Sequence, residues 1–124
     1  MNLTSLQLAA ILKAGKAMVN ADGVTKHEEL IVLFNELRRF NVPEEDLSKL
    51  FILTDTMEVP EMFEVLSGID DEAKSYVSAY LAAIMFADKD IDEKEIEVWK
   101  LICTLCRFPV MTIREALKLW MSKQ

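Results

Sequence analysis

Apolar side chains recur every three or four positions through most of this chain, which is the spacing of amphipathic helices. Leu3, Leu6, Ala10, Ala14, Ala17 and Met18 mark a first helix over Leu3 to Asn20. Its small residues, Ala9, Ala10, Ala14, Gly15 and Ala17, would let a neighbouring helix come close. Thr25 and Glu28 have the spacing of a capping box and open a second helix, with Leu30, Leu33, Phe34 and Leu37 on its inner face. Pro43 starts a third, whose first turn carries Glu44, Glu45 and Asp46, where the macrodipole favours anions. Leu47, Leu50 and Phe51 face inward on it. A short helix is predicted from about Pro60 to Leu66, and a central one from Asp70 to Ala87. The second half of that central helix, Tyr80 to Ala87, is apolar on every side, a pattern that means burial all round. Asp92 with Glu95, and Thr112 with Glu115, open the last two helices. The prediction is an all-α bundle of about six to seven helices.

Composition narrows this picture. The chain has 124 residues, 52% of them hydrophobic, enough for one domain with a real core. It has only 3 Gly and 3 Pro, too few for strands joined by frequent tight turns. A net charge of −7 with scattered basic residues speaks against a nucleic-acid partner, because phosphate binding needs a basic surface. The longest apolar run, Tyr80 to Ala87, falls far short of the ~20 residues of a membrane span, so no direct membrane insertion is expected. No secretory leader pattern opens the chain, and the cytoplasm is the expected location.

Two stretches of the chain resemble one another. Met18-Val19-Asn20-Ala21-Asp22-Gly23-Val24-Thr25-Lys26-His27-Glu28 pairs with Met85-Phe86-Ala87-Asp88-Lys89-Asp90-Ile91-Asp92-Glu93-Lys94-Glu95. Each is a helix ending in Ala-Asp, then a short turn, an aliphatic residue, a cap and a Glu three positions later. Aligned on the caps, the first turn is one residue shorter. Downstream, Arg39-Phe40 matches Arg107-Phe108, and Leu50-Phe51 matches Leu119-Trp120. The chain reads as a duplication, residues 1–53 and 70–124, joined by 54–69. A pseudo-twofold that brings the two acidic turns together is the expected consequence.

The Ala-Asp-Gly turn followed by a cap and Glu, once in each half of a helical domain, resembles the tellurite-resistance TerB-like family. That family includes the N-terminal domain of certain membrane-anchored J-domain co-chaperones. The resemblance covers nearly the whole chain. It implies a non-enzymatic role in stress response or as an accessory factor, with acidic residues that bind a divalent metal. Carried over by position, it points to Asp22 with Glu28 or Glu29, and to Asp88 with Glu95; Lys89 stands where the motif has Gly, and Asp90 is an added carboxylate.

The residues themselves leave three readings of these turns open. Thr25, Glu28, Asp92 and Glu95 are explained by helix capping, and Asp22 and Asp88 by local turn hydrogen bonds. Alternatively, the turns hold a hard cation such as Ca²⁺ or Mg²⁺, or Zn²⁺, through carboxylate and carbonyl oxygens. Lastly, they form an acidic patch for a protein partner. Asp88, Asp90 and Asp92 alternate like the start of an EF-hand loop, but Trp99 and Glu93 occupy the places that loop gives to Glu and Gly, so an EF-hand is excluded. Cys103 and Cys106 lie in a helical apolar pattern with no second ligand pair and no nearby His, and read as reduced core cysteines. The sole histidine, His27, sits among charges and is expected to be exposed. Without a Ser–His or Cys–His set, catalysis is not expected. The alternative to a cation-binding protein is an interaction module, monomeric or homodimeric, whose acidic turns only cap helices. Trp120 and Met121 are its candidate docking surface.

Overall fold

In a computed structural model, seven helices follow one another among the described residues. They are α1 (Ser5–Val19), α2 (His27–Arg39), α3 (Glu44–Thr56), α4 (Val59–Ser67), α5 (Asp71–Met85), α6 (Glu93–Leu105) and α7 (Ile113–Ser122). The structure describes residues 3–21, 23, 26–39, 42–87, 89 and 91–122, with 36–39 described by backbone alone. There is no strand among them, and no helix long and apolar enough to cross a membrane. The all-α prediction holds.

Local chemistry fixes the helix ends. Thr4 and Gln7 form a reciprocal capping box at α1, one not evident from the hydrophobic pattern. Asp70 accepts the Ala73 N–H at 2.8 Å and starts α5. Thr112 and Glu115 close the predicted box at α7, with both bonds at 3.1 Å. The end of α6 is a Schellman motif: Phe108 N–H donates to the Cys103 carbonyl at 2.9 Å and Arg107 N–H to the Thr104 carbonyl at 3.2 Å. Arg107 takes the left-handed position there, φ 58°, where glycine is usual.

Helix α5 occupies the centre. From Tyr76 to Met85 every residue is buried, and α1, α2, α6 and α7 all pack on it. Helix α1 is its counterpart, packed by α3, α4 and α6 as well. Ala9, Ala10, Ala14 and Gly15 are buried there as predicted, and a Cβ on Gly15 would collide with the Leu33 side chain. One core cluster draws residues from all seven helices. Where α5 meets its neighbours, buried polar atoms are matched. Tyr80 Oη donates to the Leu33 carbonyl at 2.8 Å, and Trp99 Nε1–H to the Ser78 carbonyl at 3.1 Å. Three predicted inward residues point out instead: Leu6, Ala17 and Phe34 are exposed.

The duplication governs the topology, with one correction. Helices α1 and α5 both have 15 residues, α2 and α6 both have 13, and each pair starts 66 positions apart (5 and 71, 27 and 93). The described parts of the intervening turns share their backbone hydrogen bonds. Gly23 N–H donates to the Asn20 carbonyl at 3.0 Å, as Lys89 N–H does to Phe86 at 2.9 Å, with φ 80° and 63°. The first turn is therefore not one residue shorter. Aligning the caps misplaced it: α2 begins at His27, with the Lys26 carbonyl accepting Leu30 N–H, just as the Asp92 carbonyl accepts Ile96 N–H. Thr25 lies outside the described residues. The halves separate in length only later, since α3 follows directly on Pro43 whereas Val110, Met111 and Thr112 intervene between Pro109 and α7. Helix α7 nonetheless packs on α5 as α3 packs on α1.

Two substitutions test this core by urea unfolding. Ile84→Ala, at a fully buried site on α5, is expected to cost ~2–5 kcal/mol. Gly15→Val, which drives a branched side chain into Leu33, is expected to cost ~1–3 kcal/mol.

Candidate functional site: two buried glutamates

In the register of 66, Glu29 rather than Glu28 is the positional match of Glu95, and these two are the buried carboxylates among the described residues, at 0% and 1% exposure. Glu28 is exposed on the solvent side of α2, as is His27. Asp22, Asp88 and Asp90 lie outside the described residues. Among the described residues no group of three or more His, Cys, Asp or Glu side chains is arranged to hold a metal ion.

Glu95 does not do what its spacing predicts. Asp92 caps α6 by accepting Lys94 N–H at 2.7 Å. The Glu95 carboxylate does not return to the cap to close a box, and accepts no hydrogen bond among the described residues. It points inward, where its one described charge partner comes from the other half of the duplication: Lys26 Nζ stands 3.6 Å from Oε1. Lys26 is 20% exposed in its side chain, so its stem is buried while the ammonium reaches the carboxylate. The contact places the start of α2 against the start of α6, joining the two repeats at the ends of their acidic turns.

Lys26 was not among the sequence candidates. Its signal was slight: a lysine three positions before Glu29, one helical turn away. That it answers Glu95 is a fact of how the repeats face one another. Taking a carboxylate out of water costs several kcal/mol unless charge or hydrogen bonds offset it, and the Lys26 ammonium supplies part of that offset for Glu95.

Other charged and nucleophilic groups have plainer roles. Lys16 Nζ pairs with Asp55 at 2.9 Å, tying α1 to α3 at the surface and holding the Asp55 carboxyl below its usual range. Cys103 and Cys106 are free thiols. Burial pushes both up, Cys106 to about 12, which keeps them protonated and poor nucleophiles. Trp120 is half-buried against the rings of Tyr76 and Tyr80, with centroids at 6.0 and 5.9 Å, while Met121 is exposed.

Fold and site define a class: a duplicated all-helical protein with one buried glutamate per repeat beside an acidic turn. A protein of unknown function from Porphyromonas gingivalis has a solved structure that matches this chain at 37% identity and a TM-score of 0.83, over 98% of both chains. The chain belongs to the same family as that protein. No family model matches the chain. No curated protein matches it either.

The Lys26–Glu95 pair is open to a double-mutant cycle. Lys26→Met leaves Glu95 buried without its counter-charge and is expected to destabilise by ~1–3 kcal/mol. Adding Glu95→Gln to Lys26→Met should recover part of that loss, and additive single-site losses would show the pair to be uncoupled.

Proposed function

We propose that this chain is a non-enzymatic, TerB-like helical protein that binds a divalent cation beside its two acidic turns, in stress response or as an accessory factor. The observation that carries this reading is the matched burial of Glu29 and Glu95, each seven positions beyond the aspartate of its turn. Helix capping does not account for Glu95, which stands at the third position of α6 yet accepts nothing from the α6 cap. Buried carboxylate oxygens such as those of Glu95, which accept no hydrogen bond among the described residues, are the ligand type that hard cations prefer, and turns add carbonyl oxygens to the set. Asp22, Asp88 and Asp90 are the turn carboxylates proposed to complete it. Lys26 brings positive charge to Glu95 in this region.

Thermal melting with and without metal tests the proposal. A ligand at a hundred times its Kd adds about 2.7 kcal/mol to the folded state. For a domain of this size that is a rise in Tm on the order of 10 °C. We expect such a rise with millimolar Ca²⁺, Mg²⁺ or micromolar Zn²⁺, abolished in Glu29→Gln and in Glu95→Gln. An unshifted Tm with all three ions would sink the metal reading. The acidic turns would then be structural, and the chain an interaction module that uses exposed apolar residues such as Leu105 and Met121.

A further inference from the structure

A cavity of roughly 670 Å³ opens where α6 turns into α7, away from the glutamates. Trp99, Cys103 and Phe108 line its base. The base makes no demand for a polar ligand. Trp99 Nε1–H is spent on the Ser78 carbonyl, and the Cys103 thiol lies 3.5 Å from Ser78 Oγ. Val110 and Met111, two of the three residues by which the second half of the duplication exceeds the first, also line it. Val110 is fully exposed. The cavity therefore lies where the halves part in length.

Its charges run against the net charge of the protein. The protein carries −7 overall, yet the charged residues lining this cavity are Lys100 and Arg107, with no carboxylate. Neither cation makes an ion pair or hydrogen bond among the described residues. Glu115, beside the rim, has its carboxylate turned back on the Thr112 N–H. Arg107 is held in the left-handed conformation, φ 58°, which fixes where its side chain leaves the backbone. The amino end of α7 borders the same space and adds partial positive charge. A volume in the range of small-molecule sites, an apolar base and two unengaged cations complement one kind of ligand. We propose that this cavity binds a small amphipathic carboxylate of the fatty-acid class, its aliphatic tail over Trp99 and Phe108 and its carboxylate between Lys100 and Arg107. The site is independent of the glutamate pair and of any metal there.

Octanoate, 1-octanol and octylammonium, each below its aggregation limit, are the probes, with backbone amide shifts of the full chain as the readout. Octanoate should shift the amides of residues 99–113 saturably. Octanol should bind about tenfold more weakly, the loss of one charge-assisted interaction, and octylammonium should leave these amides unmoved. Lys100→Gln/Arg107→Gln should weaken octanoate at least as much as the alcohol is weakened, and Val110→Glu should weaken it too. All three residues are exposed, so the fold should be undisturbed. Absence of saturable shifts would overturn the proposal, as would equal binding of all three probes or undiminished octanoate affinity in the double variant.

Discussion

Ten consecutive residues of α5, Tyr76 to Met85, are shut away from water, and every helix that touches them must supply an apolar face. An α-helix apolar on all sides has no stable place at a surface. It is enclosed by α1, α2, α6 and α7, which in turn fixes where α3 and α4 can lie. Small residues on α1 allow the close approach, and Gly15 gives up its Cβ space to Leu33. Two polar side-chain groups in this region donate to backbone carbonyls, Tyr80 to Leu33 and Trp99 to Ser78. Both anchor α5 to the second helix of a repeat, at the matched positions 33 and 99.

The same enclosure explains why Glu29 and Glu95 are dry. They sit in the first turn of the second helix of each repeat, on the side that meets the core. Burying an acid there costs stability, and Lys26 answers Glu95 across the duplication. The burial of a glutamate recurs in both halves, and for Glu95 it differs from the capping role that spacing alone suggested. Where the halves diverge, by three residues after Pro109, a second feature arises: a cavity whose lining charges are basic on an acidic protein.

Much of this was legible in the sequence. Helical spacing, the helix start at Pro43, the caps at Asp92 and Thr112 and the duplication all follow from short-range chemistry, in which a residue's effect reaches only three or four positions along the chain. Register within the acidic turn was not. Thr25 and Asp92 look alike as caps, but the turn's hydrogen bonds and left-handed residues, Gly23 and Lys89, set the alignment one position differently. Outward Leu6 and Phe34 likewise satisfy the helical period, since spacing names a face without saying where the neighbouring helices stop covering it.

What the sequence determined by itself, then, is the set of helices and their repetition, because those depend on local periodicity and capping. Only the tertiary structure decided that Glu29 rather than Glu28 is buried like Glu95, that Lys26 of one repeat faces Glu95 of the other, and that an apolar hollow opens between α6 and α7. These are relations between segments far apart in the chain. Burial of a charge and the identity of its partner depend on which helices close over it, and no local pattern encodes that.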